Sequence, residues 1–337
     1  MNYENNDELQ LAYHFAEETG RNIFLTGKAG TGKTTFLREF VRRSRKRVVV
    51  AAPTGIAAIN ARGVTLHSLF QLPFGVFIPG RTVADRRADR FSRAKLAIIR
   101  SMDMLVIDEI SMVRADLLDA VDDCLRRHRD RTRPFGGVQL MLIGDLAQLA
   151  PVVTEAEMPL MRDVYRSPYF FDSKALNQAG YRVIELNRVY RQSDTAFIDI
   201  LNHVRTGNID ERTLGAINSR YIPGFIPPHD AGYIRLTTHN HLARDINDRE
   251  LARLDGPVYR YNAHIEGDFA ESAYPADAEL ILKPGAQVMF IKNDTESPRR
   301  YFNGMLGRVV TLTHDYVEVQ PSDPTLPTVT VTPDAWE

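Results

Sequence analysis

The sequence predicts an α/β fold: a parallel sheet covered by helices on both faces and built around a phosphate loop. Three observations lead there. Short apolar runs alternate with helix-like segments through the first half of the chain, the pattern of parallel strands joined by crossover helices. Gly27-Lys28-Ala29-Gly30-Thr31-Gly32-Lys33-Thr34 fits G-x-x-x-x-G-K-[ST] and sits between one such run and one such helix. Met104-Leu105-Val106-Ile107-Asp108-Glu109 is another apolar run, and it ends in two carboxylates.

Taken in order, Leu9–Glu18 reads as a helix and Ile23–Thr26 as a buried strand. The glycine loop follows, and Lys33–Arg43 reads as the helix it opens. Strands are expected at Val48–Ala52, Met104–Asp108, Gln139–Gly144 and Arg182–Leu186, with helices at Arg114–Arg127 and Ser173–Ala179. Residues 66–93 interrupt the rhythm with a proline- and aromatic-bearing stretch, Leu72 to Gly80, and then a basic run; they read as a small inserted subdomain. A second α/β unit is expected from Val183, with helices at Thr195–Thr206 and His241–Leu254 and a strand at Tyr233–Thr238. From Pro257 short alternating strands and turns at Lys283-Pro284-Gly285 and Asn303-Gly304 suggest a small barrel or sandwich. Ligands of such an open sheet bind at the C-terminal ends of its strands, where the glycine loop lies.

The 337 residues suffice for two or three domains, and 44% hydrophobic with 25% charged residues fits a globular protein. A net charge of −1 announces no polyanionic partner, but the charge is uneven. Arg42 to Arg47, residues 81–100 and Arg126 to Arg133 are basic clusters, while 264–279 is acidic. Such runs are more often solvated helix faces than nucleic-acid contacts. The single cysteine, Cys124, excludes an intramolecular disulfide and fits a reducing compartment. No apolar run is long enough to span a bilayer and Met1-Asn2-Tyr3-Glu4 opens no signal peptide, so a cytoplasmic protein without membrane contact is expected.

The chemistry follows from residue types at strand ends. Gly27, Gly30, Thr31, Gly32, Lys33, Thr34 and Thr35 form a cradle whose amides and helix N-terminus face a phosphate. Lys33 would reach the β- and γ-phosphates of a nucleoside triphosphate, and the Thr34 hydroxyl would hold Mg²⁺. Asp108 would hold the same ion, and Glu109 would orient or deprotonate the attacking water. Gln148, after the strand that ends at Gly144, can sense the γ-phosphate through its amide, or can belong to an ordinary turn. Arg191 can neutralise charge on the transferred phosphoryl group, or can be a structural ion pair.

Together these segments resemble the ordered motifs of superfamily I helicases: the glycine loop, Ala52-Pro53-Thr54-Gly55-Ile56-Ala57-Ala58, Thr65-Leu66-His67-Ser68-Leu69-Phe70, Asp108-Glu109-Ile110-Ser111-Met112, Gly144-Asp145 with Gln148-Leu149 and Pro151, and Tyr190-Arg191-Gln192. Glu109 to Val113, Leu117-Leu118-Asp119 and Arg126-Arg127 look like the signature of the PIF family, in the RecD-like branch. Leu236 to Asn240 with Ala243 and Ile246-Asn247, Gly285 to Met289, and Asn303-Gly304 with Gly307 resemble its later segments. The resemblance implies a RecA-like ATP-binding domain over 1–182 with a wedge insert at about 66–93. It also implies a partial second RecA-like domain over 183–254 and a β-barrel insert over 255–337.

It implies ATP and Mg²⁺ as cofactors and 5′→3′ movement on single-stranded DNA. Unwinding of duplexes, DNA–RNA hybrids, junctions or G-quadruplexes follows, by a monomer in the cytoplasm or nucleoid, or in the nucleus or mitochondrion of a eukaryote. Gln10 takes the place of the adenine-contacting glutamine. Thr54, Gly55, Thr65, His67, His239 and Asn240 fall in DNA-contacting segments, although Thr54 and Thr65 could simply cap helices. Phe74 and Phe77 of the wedge could stack on bases or fill a small core. One departure stands out. The family's Ser-Gln-Gly segment and second catalytic arginine do not occur here, so the second domain is expected to be incomplete and the chain to be a fragment. Two other readings compete: a nucleotide-gated single-stranded DNA-binding module, and a phosphate-loop kinase, which would leave Gln148, Arg191 and the insert unexplained.

Overall fold

The computed structural model describes residues 6–28, 30–72, 75–80, 91–190, 194–226, 235–266, 274, 276–292, 294, 300–302 and 304–335. Two compact units divide the chain, Met1–Tyr221 and Ile222–Glu337.

In the first unit the helices are α1 (Asp7–Glu18), α2 (Lys33–Arg43), α3 (Gly55–Asn60), α4 (Leu66–Phe70), α5 (Arg93–Ser101), α6 (Ala115–His128), α7 (Met158–Arg162), α8 (Lys174–Ala179), α9 (Thr195–Thr206) and α10 (Glu211–Asn218). The strands are β1 (Ile23–Gly27), β2 (Val48–Ala52), β3 (Val64–Thr65), β4 (Met104–Ile107), β5 (Gln139–Ile143) and β6 (Arg182–Leu186). They form one parallel sheet in the order β3-β2-β4-β5-β1-β6.

The continuous apolar character of β4 and β5 follows from burial on both faces. Met104 and Val106, with Met141 and Ile143, join Phe36, Leu37 and Phe40 of α2 in one core. Leu105 and Ile107, with Leu140 and Leu142, join Leu118, Val121 and Leu125 of α6 in the other. The period of two along each strand thus feeds two cores. Each such side chain contributes roughly 1.5–3 kcal/mol of burial.

β6 pairs with β1 from Ile23↔Arg182 to Gly27↔Leu186. The segment from which a second α/β unit was expected therefore begins as the outer strand of the first sheet, and the compact unit runs on to Tyr221.

The second unit holds α11 (Asn240–Arg253) and β7 (Tyr259–Asn262), β8 (Glu279–Leu282), β9 (Gln287–Met289), β10 (Leu306–Leu312), β11 (Val317–Pro321) and β12 (Val329–Val331). Antiparallel strands β12-β11-β10-β9 make one sheet and β7-β8 a second. Val309 and Leu312 of the first pack with Tyr259, Tyr261 and Leu282 of the second around Ala286. The strand expected over Tyr233–Thr238 does not form over its described part, 235–238. Leu236 there is 94% exposed, so no apolar burial holds the segment extended. Among the described residues no helix is long and apolar enough to cross a membrane.

Candidate functional site

Sheet order places the candidate residues. β4, β5 and β1 are immediate neighbours, so the segments leaving their C-terminal ends meet along one edge. After β1 comes the glycine loop, after β4 Asp108-Glu109, after β5 Gly144-Asp145. This is where an open parallel sheet takes its ligand.

The loop is shaped by backbone. Gly30 and Gly32 have φ of 81° and 94°, left-handed values that favour glycine. Gly27 adds a close approach: a Cβ there would lie 2.5 Å from the Leu186 carbonyl oxygen of β6. Thr31 is buried, and its hydroxyl donates to the Lys28 carbonyl at 2.8 Å. Gly32 caps α2 without a side chain, which leaves the first amides of the helix to a ligand. The Lys33 ammonium donates to the Gly27 and Lys28 carbonyls at 2.5 and 3.1 Å. Burial lowers its pKa, against the opposing attraction of Asp145, Glu109 and Asp108. A second tie comes from beyond β6, where the Tyr190 amide donates to the Gly30 carbonyl at 2.8 Å. The Tyr190 hydroxyl accepts from Asn6 Nδ2 at 3.0 Å.

Asp108 is 8% exposed, and burial pushes its carboxyl up to about 6. Its Oδ1 accepts from the Glu109 amide at 3.0 Å. Glu109 has φ 51° and ψ 44°, a left-handed conformation uncommon for a residue with a Cβ. After β5, Gly144 leaves no room for a side chain: a Cβ would meet Ile110 Cγ2 at 2.8 Å and the Ile110 amide nitrogen at 3.1 Å. The β4 and β5 exits are therefore pressed together. Asp145, 2% exposed, accepts from the Ala147 amide at 3.1 Å and from Gln148 Nε2 at 3.2 Å. Its Oδ2 also accepts from Arg205 Nη1 of α9.

Lys33, Asp108, Glu109 and the Asp145–Gln148 turn are thus gathered at one edge of the sheet. Thr34 is half-buried on the first turn of α2 and Thr35 is exposed. Gln10 lies exposed on α1. Arg191 and Phe74 lie outside the described residues. Thr54 and Thr65 cap α3 and α4, accepting from the Ala57 and Ser68 amides at 3.2 Å each, a contact worth about 1 kcal/mol. Gly55 opens α3. His67 is half-buried, and burial, then the nearby Arg114, lower its pKa. Phe77 packs against the core that contains α6, and its amide donates to Asp116 at 2.9 Å. His239 precedes α11 in the other unit and pairs through Nδ1 with the Thr238 hydroxyl at 2.8 Å. Asn240 is the first residue of α11. Sequence reasoning missed Asp145 as a side chain holding Gln148, and it missed Arg205 and the Tyr190 amide. These partners stand far apart in sequence, and an arginine in a helix's last turn gives no local signal.

Residues 5–215 match the family described as PIF1-like helicase. The chain belongs to that family. It is 36% identical over 331 residues to the ATP-dependent DNA helicase PIF1 of Saccharomyces cerevisiae (strain YJM789), a match covering 92% of this chain and 36% of the yeast protein. A relative from Bdellovibrio bacteriovorus, the ATP-dependent DNA helicase Pif1, is 33% identical over 90% of this chain and 66% of its own length. The chain thus spans between about a third and two thirds of these PIF1-like relatives. Among solved structures, Bacteroides Pif1 bound to single-stranded DNA superposes with a TM-score of 0.84 at 38% identity, over 97% of this chain and 73% of that one. The PIF1-like membership agrees with the α/β fold and its RecA-like parallel sheet.

Proposed function

We propose that this chain carries the ATP-binding and hydrolysing machinery of a DNA helicase that moves 5′→3′ along single-stranded DNA. The carrying observation is the convergence of the glycine loop, Asp108-Glu109 and the Asp145–Gln148 turn at three adjacent strand ends. Relatives named ATP-dependent DNA helicases, and a Bacteroides relative solved with single-stranded DNA, support the reading.

In this mechanism the loop amides and Lys33 bind the triphosphate and stabilise charge on the transferring γ-phosphoryl group. Glu109 orients a water against that phosphorus and takes its proton. The new P–O bond forms as the bridging oxygen leaves with ADP. Gln148 contacts the γ-phosphate, and Arg191 would neutralise charge on the transferred phosphoryl group. Thr34 and Asp108 supply hard oxygen donors suited to Mg²⁺. The desolvated Asp108 carboxyl, raised to about 6, fits a group meant to face a cation. When bound, the ion would neutralise phosphate charge. Gln10 would contact adenine. Thr54, Gly55, Thr65, His67 and Phe77 of the first unit, and independently His239 and Asn240 of the second, are the proposed DNA contacts; phosphate contacts position without reading sequence. Duplexes, hybrids, junctions and G-quadruplexes are the proposed unwinding substrates, and a monomer the proposed working form. The remainder of the reading places a wedge at about 66–93, part of a second RecA-like domain within 183–254 and a barrel-like insert from 255.

The test is the ATPase rate with and without single-stranded DNA. Strong stimulation supports a motor. DNA binding without turnover would favour a nucleotide-gated binding module, and phosphate transfer to a metabolite a kinase.

A further inference from the structure

Helix α9 has no buried residue among its twelve, so the core does not fix its position. Its last turn carries Arg205, whose side chain is 23% exposed, and that side chain pairs with the buried Asp145 carboxylate. The same carboxylate oxygen, Oδ2, accepts from Gln148 Nε2 at 3.2 Å. One buried acid therefore joins the far end of α9 to the turn after β5. The pair lies close to the phosphate loop, because both Asp145 and Arg205 act electrostatically on the Lys33 ammonium, with opposite sign.

Asp145 is held by three donors, the Ala147 amide on Oδ1 and Gln148 and Arg205 on Oδ2, and the bond from the charged donor is the strongest of them. With Arg205 in place, Asp145 is locked, and the Gln148 amide nitrogen is drawn to Oδ2. That leaves the Gln148 carbonyl end to face away from the acid. Without Arg205, Asp145 is a buried acid with one bond fewer on that oxygen. With Oδ1 still on the Ala147 amide, Oδ2 would turn toward solvent or another donor and release Gln148.

We infer that Arg205 is a positioning residue: through Asp145 it holds Gln148 in the orientation that distinguishes a nucleoside triphosphate from a diphosphate. The inference rests on the proposed nucleotide site and deepens it. α9 also starts four residues after Arg191 in sequence, so the Arg205–Asp145 pair anchors the helix that follows that arginine.

The test uses the full chain and two fluorescent nucleotides, ADP and a non-hydrolysable ATP analogue, each titrated with Mg²⁺ present. The unmodified chain should bind the triphosphate more tightly than ADP. Arg205→Gln should erase that preference, about tenfold for one lost charge-assisted contact, with ADP affinity close to the unmodified value and some loss of melting temperature from the uncompensated buried Asp145. Arg205→Lys should restore part of the preference. Gln148→Ala should erase it to the same extent, and the Arg205→Gln, Gln148→Ala double variant should be no worse than either single one, because the two act in series.

An unchanged preference in Arg205→Gln, or additive losses in the double variant, would overturn the inference. Equal loss of ADP and triphosphate binding would also overturn it, as a merely structural role. Absence of any nucleotide binding by the unmodified chain would instead overturn the proposed function, and this inference with it.

Discussion

Asp103 precedes β4 and Asp108 follows it, with only Met104–Ile107 between them, yet the two carboxyls are driven in opposite directions. At the entrance, Arg47 donates to both Asp103 oxygens at 2.9 and 2.7 Å, and its own amide adds a third bond at 2.9 Å. These bonds hold Asp103 down at about 2. At the exit, burial pushes Asp108 up to about 6 with Glu109 beside it. An acid completed by its own protein serves the fold. A desolvated acid with a second acid next to it is set to meet a cation, and perturbation of that kind marks working sites. One strand thus carries an acid completed by its own protein at one end and, at the other, the desolvated acid that the proposed function makes chemical.

The sharpest test of that contrast removes the cation that faces the exit. Lys33→Ala should slow hydrolysis roughly a hundred- to thousand-fold, about 3–4 kcal/mol of transition-state stabilisation, while the melting temperature stays near the unmodified value. A normal steady-state ATPase rate would break the chemical assignment of the exit.

Next is Asp108→Asn. The folded-state pKa lies above the ordinary 3.8, so the folded chain holds more protons between pH 4 and 6. Asp108 therefore costs stability progressively as pH rises through that window, and the cost persists at pH 7. Its replacement by asparagine should stabilise the nucleotide-free chain at pH 7 by on the order of 2–3 kcal/mol. The gain should vanish near pH 4, and hydrolysis should be abolished. Denaturant midpoints across that range would show it; a loss of stability at pH 7 would mean that Asp108 is a structural acid like Asp103.

A smaller effect is expected where the β4 and β5 exits touch. Gly144→Ala puts a methyl 2.8 Å from Ile110 Cγ2 and should cost about 1–3 kcal/mol by overpacking. An unchanged urea midpoint would show that the exits can part without strain.

Least of all is expected from Asp103→Asn. The lowered pKa means that its stabilisation is present above the unfolded value of about 3.8 and is lost as pH falls toward 2. The partners are 66% and 37% exposed, so solvent screening limits the change at pH 7 to below about 1 kcal/mol. A larger melting shift would mean that the entrance pair matters more than its exposure allows.

The same division explains what was legible beforehand. β1, β2, β4 and β5 were readable because burial writes a nearly continuous apolar run, and the edge strand β6 because Ile184 and Leu186 alternate with exposed residues. α6 was readable within a residue from its amphipathic period. α3 and α4 were not, since so short a helix has no period to detect, although Thr54 and Thr65 were readable as possible caps as well as DNA contacts. Gly27, Gly30, Gly32 and Lys33 were visible because a backbone-built cradle needs glycine at fixed spacing. The turn after β5 depends on Arg205, sixty residues downstream of Asp145, and no local pattern announces that partner. Tyr233–Thr238 carried a strand-like composition, but no apolar burial holds its described part extended.

The bond from the Tyr190 amide to the Gly30 carbonyl has a consequence of its own. It is drawn entirely from main chain, so exchanging the Tyr190 side chain alters the contact with Asn6 and leaves the donor where it was. Only proline at 190 deletes it. The grip on the loop is therefore almost invisible to side-chain substitution. The chain can change its residues at this junction and keep the same hold on the curve of the glycine loop.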